Sequence, residues 1–334
     1  MANKLSARDY DIDQNANLSS DVRQALMRIS QYGPYGYQPH EAGAIVFCIV
    51  FGLLAITLTY QGIKGKRWWL LATLAFGSWC ECVGNGIRIY GHFHPEIINP
   101  YIAQQVILVL TPAFFAAAHF TILTKMCQLH GAKYIWPVRP SWLIPMFVVL
   151  DVASLAVQGG GSGQAAVAEI NNEPVADINN KGNIVVAGLA IQLFGYLAFN
   201  ALFILFVTRA IADKRKGEAQ WFNARQKVFF IAVYVSALLV LGRSAFRTAE
   251  MGSGWVGKIA TTEWYYLVFD ATFVALAVLI LTIISPVNYM DRVQSTTTKT
   301  TPTQSESTEF DQSGNVTMRN SFDHGSPNLG SEKA

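Results

Sequence analysis

Residues 227–250 read KVFFIAVYVSALLVLGRSAFRTAE. Apolar side chains dominate from Val228 to Leu241, and then Arg243, Arg247 and Glu250 follow at spacings of four and seven. A run of this length crosses the ~30 Å hydrocarbon core as a helix. Spacings of four and seven put the three charges on one helical face. A charge at the bilayer centre costs about 2.5–3.5 kcal/mol even on the mildest scale, so such a face turns toward partners, water or a substrate.

Six further runs of the same kind flank this one. The spans are expected at about 41–63, 68–90, 100–127, 141–158, 183–209, 227–248 and 263–286. The expected fold is therefore all-α, a polytopic bundle of seven transmembrane helices. Of the 334 residues, 51% are hydrophobic and only 14% charged. Soluble domains carry about 25% charged residues, so the deficit fits burial in lipid. A net charge of +3 is too small to suggest a nucleic-acid partner.

The basic residues set the orientation. Lys64, Lys66 and Arg67 follow the first span, Lys133 and Arg139 the third, and Lys214, Arg215, Lys216 and Arg225 the fifth. The alternate connections are poor in Lys and Arg, with Lys181 set against Glu169, Glu173 and Asp177, and Lys258 alone before the last span. The positive-inside rule then places the N-terminus outside and the C-terminus in the cytosol. Residues 1–32 read as a polar outer segment with a glycosylation sequon at Asn17, and no cleaved signal peptide is expected. Residues 33–290 form the helical domain. Residues 291–334 turn to Ser, Thr, Asn and Gln and read as a disordered cytosolic tail, in which the sequon at Asn315 stays unused. The run Gly159-Gly160-Gly161-Ser162-Gly163 reads as a flexible outer loop, since a phosphate-binding loop needs a following Gly-Lys-Ser/Thr.

Polar residues inside the other spans also fall in stripes. Glu81, Asn85 and Arg88 share a face in the second, Asp151 and Gln158 in the fourth, and Glu263 and Asp270 in the last. Gln104, Gln105, His119, Gln192 and Asn200 add polar groups to the third and fifth. Asp151, Asp270, Glu81, Gln158, Gln192 and Gln104 are the candidates for contact with a substrate. Arg88, Arg243, Arg247, Glu250 and Glu263 are the candidates for structural or gating ion pairs. Pro112 and Pro145 free backbone carbonyls within their spans and suggest kinks, with a hinge as the other reading.

No cofactor or metal is expected. His119 stands alone within the spans, and the outer pair His92 and His94 lacks a third ligand. Cys48, Cys80, Cys82 and Cys127 fall in spans and read as small packing residues, because Cys80 and Cys82 point about 200° apart on a helix.

Several motifs occur in order: Tyr35-Gly36-Tyr37-Gln38-Pro39, Glu81-x-x-Gly84-x-x-x-Arg88, Gln104 with Pro112 and Ala116-Ala117-Ala118, and Asp151-x-x-Ser154-x-x-x-Gln158. Then come Gly188-Leu189-x-x-Gln192, Arg243-Ser244-x-Phe246-Arg247-x-x-Glu250, and Glu263-Trp264-Tyr265-Tyr266 with Asp270. Together they resemble the fungal lipid-translocating exporter family, the RTA-like proteins, over about residues 33–290. The resemblance implies a non-enzymatic seven-helix protein that moves an amphiphile across or between membrane leaflets and contributes to lipid asymmetry, drug resistance or stress response. Branches of that family are tied to sphingoid long-chain bases, to sterol-like toxins and to porphyrin uptake. It also implies a plasma membrane, with the vacuolar membrane as the other reading. Asn85, His119 and Tyr60-Gln61 depart from the family's usual residues, which argues against carrying over any one substrate.

The partner expected is thus a membrane lipid or amphiphilic small molecule, and the oligomeric state is not readable. A seven-helix receptor or regulator is the main rival. It is disfavoured by Thr124-Lys125-Met126 at the end of span three, by Ser285-Pro286-Val287-Asn288-Tyr289 at the end of span seven, and by the absence of a span-seven lysine. A zinc-dependent membrane hydrolase would need several inward histidines.

Overall fold

The computed structural model describes residues 40–94, 97–170, 175–217, 224–253 and 262–290. The sequon at Asn17, the N-terminal segment and the tail lie outside these residues, as does the motif Tyr35–Pro39. Every described helix follows an apolar run. We number them α1 (Glu41–Lys64), α2 (Trp68–Leu70, Leu71–Ala75 and Phe76–Phe93), α3 (Ile98–His130), α4 (Pro140–Ile170), α5 (Val175–Arg215), α6 (Ala224–Gly252) and α7 (Glu263–Tyr265, Tyr266–Thr272 and Phe273–Ile283). No strand occurs among the described residues. Six of these helices, all but α2, are long and apolar enough to cross a membrane. The exception carries Glu81, Asn85 and Arg88 on its buried face. The protein is integral to a membrane.

Each helix packs on its chain neighbour, and α7 closes the ring against α1. The third helix runs through the middle, also touching α5 and α6. Its apolar residues Phe115, Ala118, Phe120, Ile122, Leu123 and Met126 are almost fully buried. The Phe120 ring stacks on Phe147 of α4 and meets Phe199 of α5 edge-on, so aromatic packing ties three helices at one level. By contrast α1 exposes Val46, Ile49, Leu53, Ile56 and Ile63 along one side. An apolar stripe of that length suits lipid rather than water.

Two features depart from the sequence expectation. The glycine run 159–163 is helical, inside α4, and that helix continues to Ile170 while α5 begins at Val175. Glycine in a helix costs roughly 0.5–1 kcal/mol against alanine. Close packing offsets this at Gly161, where an added Cβ would lie 2.9 Å from the Val185 backbone nitrogen. Gly188 plays the same part from the other side, because its Cβ would meet Gln158 Cγ at 2.6 Å and the Ser154 carbonyl at 2.9 Å. Small residues at such a crossing let two membrane helices approach closely. The second departure is that α2 and α7 each contain a stretch wound as π-helix, Leu71–Ala75 and Tyr266–Thr272. Such stretches re-aim side chains and release backbone groups, and they recur at functional sites. Asp270 lies in the second of them.

Candidate functional site

Buried polar residues form two separate groups. The first joins α2, α3, α6 and α7. Arg243 donates through Nε to Asp270 Oδ1, and its Nη2 donates to the Leu108 carbonyl at 2.9 Å. Glu81 Oε1 stands 3.7 Å from the same Nη2. One turn along α6, Arg247 donates to Asp270 Oδ2 and, at 3.1 Å, to Glu250 Oε2. Asp270 thus has one guanidinium on each oxygen. Beyond it, Arg88 donates to Glu263 Oε1 at 2.7 Å, and that carboxylate also accepts the His40 backbone N–H at 2.8 and 3.0 Å. The ring of Tyr266 lies 4.3 Å from the Arg88 guanidinium carbon and 5.7 Å from that of Arg247. An aromatic face between two guanidinium groups spreads the cationic charge through cation–π attraction.

The Leu108 carbonyl is available for a local reason. Proline at 112 has no backbone N–H, so the carbonyl four residues earlier loses its helical donor. That carbonyl belongs to Leu108, and Arg243 supplies the replacement. The proline removes one helical bond from α3, and the arginine of α6 closes the gap. Gln104, one turn before Leu108, is buried at the same end of α3.

The second group lies on the α4–α5 seam. The hydroxyl of Ser154 donates to the Gly188 carbonyl at 2.6 Å, and Gln158 Nε2 donates to Ser154 Oγ at 2.7 Å. The antiparallel register, set by Ser154 on Gly188 and by Gly195 against Leu150 and Phe147, places Gln192 and Tyr196 at the level of Asp151. Gln158 and Gln192 are buried to 2% and 6% exposure, yet Gln158 Oε1 and Gln192 Nε2 have no hydrogen-bond partner. Asn200 Oδ1, two turns further along α5, is likewise unpaired. Asp151 is half-buried, and no hydrogen bond or ion pair to it occurs among the described residues. Its neighbours Val149 and Val152 are 67% and 59% exposed, so the carboxylate sits where the seam meets the lipid-facing side of α4.

Behind Asp151 the seam continues into the bundle. Tyr196 lies within electrostatic range of Asp151. Its hydroxyl is 3.0 Å from His119 Nδ1, which is also 2.8 Å from the Phe115 carbonyl. His119 Nε2 is 3.1 Å from Ser236 Oγ. The carbonyl of Phe115 can only accept, so it favours the tautomer with hydrogen on Nδ1. The hydroxyl of Ser236 donates to the Ala277 carbonyl at 3.0 Å, which favours hydrogen on Nε2 instead, so the two carbonyls pull the tautomer in opposite directions.

The structure therefore brings Glu81, Asp270, Arg243, Arg247 and Glu250 into one cluster, with Arg88 and Glu263 beside it. It brings Asp151, Gln158 and Gln192 into another. Sequence reasoning on single stripes missed Tyr196 as a site residue. The signal was there, because Gln192, Tyr196 and Asn200 repeat at every fourth position and form a polar line on α5. The Leu108 carbonyl was also missed, although Pro112 marks it. Among the described residues no three His, Cys, Asp or Glu side chains gather to hold a metal. His92 lies 3.8 Å from the Glu41 carboxylate, and His94 packs on Tyr90.

The family described as RTA1 like protein matches residues 74–293, which include both polar groups. The chain belongs to the RTA1-like family. It is 28% identical to Protein RTA1 of Saccharomyces cerevisiae, covering 78% of this chain and 86% of that protein. It is 25% identical to the sphingoid long-chain base transporter RSB1 of the same yeast, over 86% of this chain and 81% of the relative. Protein RTM1 of that yeast is 28% identical over 62% of this chain and 64% of its own length. No solved structure matches the RTA1-like chain.

Proposed function

We propose that this RTA1-like protein is a seven-helix translocator that moves amphiphiles with a cationic head group between membrane leaflets, with sphingoid long-chain bases as the first class to test. Its N-terminus lies outside and its tail in the cytosol, and the plasma membrane is its site. The observation that carries this reading is Asp151: an unpaired carboxylate in mid-helix, at the border of lipid and a buried polar seam. An ammonium entering sideways meets a counter-charge there. The unpaired amide atoms of Gln158 and Gln192 then offer one acceptor and one donor to the hydroxyls of a head group. The hydrocarbon tail stays in lipid along the exposed face of α4. The name of the yeast relative RSB1 supports the substrate class.

In this reading α2 is the remaining span. It crosses the membrane because Glu81 and Arg88 face Arg243 and Glu263 rather than lipid. Asp270 and Glu81, substrate candidates from the sequence alone, are assigned with Arg243, Arg247 and Glu250 to the lock that holds α2, α3, α6 and α7 together. Asp151, Gln158 and Gln192 keep the head-group role.

The test uses purified protein in liposomes, with a fluorescent long-chain base placed in one leaflet. Exchange between leaflets should accelerate with wild-type protein and fall at least about tenfold with Asp151→Asn, since about 1.4 kcal/mol of lost attraction is already tenfold. Acceleration without an energy source marks a scramblase path, and acceleration only under a pH gradient marks a proton-coupled carrier. Exchange by folded Asp151→Asn protein at the wild-type rate overturns the assignment.

A further inference from the structure

The first two helices pack together, and each carries a lane of small residues, Ala44, Cys48 and Gly52 on α1 and Ser78, Cys82 and Gly86 on α2. Each lane repeats at every fourth position, the spacing that lets two helices lie close. At the crossing, the sulfur atoms of Cys48 and Cys82 are 3.8 Å apart. The contact is reciprocal: Cys48 Sγ lies 3.6 Å from the Cys82 carbonyl oxygen, and Cys82 Sγ lies 3.4 Å from that of Cys48. A position for Cβ on Gly52, one turn along α1, would be 3.5 Å from Cys82 Sγ. Both cysteines are reduced and half-buried.

We propose that Cys48 and Cys82 form an oxidisable dithiol, a modification site at which a hydroperoxide closes a disulfide between α1 and α2. One thiolate attacks the peroxide O–O bond, giving a sulfenic acid and releasing an alcohol. The second sulfur then attacks the sulfenic sulfur and expels water. In sum two thiols and one hydroperoxide become a disulfide, one alcohol and one water. The sulfurs are already in van der Waals contact and must close to the bond length of about 2.05 Å.

The place suits the chemistry. Cys48 is about 10 Å along α1 from Glu41, at a rise of 1.5 Å per residue, and so lies in the outer half of the bilayer in the topology proposed above. Cytosolic thiols that reduce disulfides act from the opposite face. The bond would fasten α1 to the helix that carries Glu81 and Arg88. Cys80 and Cys127 serve as internal controls, because neither faces another sulfur among the described residues.

The experiment treats the full-length protein in liposomes with graded cumene hydroperoxide, denatures it, blocks remaining thiols with N-ethylmaleimide, and maps the cysteines by mass spectrometry without reduction. The expected result is an intrachain Cys48–Cys82 peptide lighter by two hydrogens and reversed by dithiothreitol, with Cys80 and Cys127 still alkylated. The thermal midpoint of the oxidised protein should rise, and that rise should vanish in Cys48→Ser. Alkylation of both Cys48 and Cys82 at a dose that oxidises an exposed-thiol control overturns the proposal. So does a cross-link between two copies, or oxidation of each sulfur separately. The mapping in the wild-type chain decides the matter even where Cys48→Ser fails to fold, and it stands apart from any measurement of lipid movement.

Discussion

The cluster around Asp270 and the seam around Asp151 each place a carboxylate among helices, and they treat it in opposite ways. Asp270 is 2% exposed and bridges two arginines, one of which also holds a carbonyl released by a proline. Asp151 stands at the lipid border without a partner, among buried amides whose atoms Gln158 Oε1 and Gln192 Nε2 are also unmatched. Unpaired buried polar groups cost about 1–3 kcal/mol each, more for a charge. Unmatched atoms occur in the Asp270 cluster too, at Glu81 Oε1, Asn85 Oδ1 and Arg247 Nε, so the two regions differ in the carboxylate itself: Asp270 has a guanidinium on each oxygen and Asp151 has none. The contrast gives the two carboxylates different expected phenotypes.

The largest effect should come from Asp270→Asn. Removing one partner of a buried ion network leaves the others uncompensated, at a cost of about 3–5 kcal/mol. Arg243 and Arg247 would then share one neutral acceptor. The expected outcome is loss of monodisperse protein on heating, read by size-exclusion chromatography of the detergent-solubilised variant, whereas Asp151→Asn should elute and melt like wild type. A stable Asp270→Asn protein that loses leaflet exchange would reverse the roles given to the two sites.

Next in size is Gly188→Ala. The added methyl would press on Gln158 Cγ and the Ser154 carbonyl, at 2.6 and 2.9 Å. Overpacking of this kind costs about 1–3 kcal/mol. It should also part the seam and slow lipid exchange more than it lowers the melting temperature. If stability falls and exchange per folded molecule is unchanged, the seam is not the path.

A smaller effect, of opposite sign, is expected at Gly159→Ala. Nothing lies within 4 Å of an added Cβ there, and the residue is helical. Alanine is favoured over glycine in a helix by about 0.8–1.0 kcal/mol, so the variant should melt slightly higher, and a lower melting point would restore the reading of 159–163 as a loop. This run shows why some of the fold escapes the sequence. Four glycines and a serine in a row carry a loop composition, and what holds them helical is the surface of α5 against Gly161, a tertiary contact with no local signature. The π-wound turn at Tyr266–Thr272 is equally silent, because an extra residue in a helical turn leaves the composition unchanged. The long apolar runs and the charge stripes were legible, since both follow from helical period alone. Which stripe faces which was not: spacing places Arg243 and Arg247 on one face but does not say that Asp270 lies opposite them.

The finest distinction rests on Pro112. Replacing a proline inside an ordinary helix with alanine recovers about 3 kcal/mol, because a backbone bond returns and a clash is relieved. Here Pro112→Ala would present a new N–H to the Leu108 carbonyl, which already accepts from Arg243 at 2.9 Å. The backbone would gain its bond where the arginine's is displaced or shared, and the guanidinium, 1% exposed, would keep less than its full set of acceptors. The two changes should nearly cancel, so thermal melting of Pro112→Ala in lipid nanodiscs should show no gain. The double variant Pro112→Ala with Arg243→Gln separates the terms, for with the arginine gone the alanine should recover part of the missing stability. A full gain in the single variant would mean that Pro112 and Arg243 act independently, and that the cluster owes nothing to the broken rung of α3.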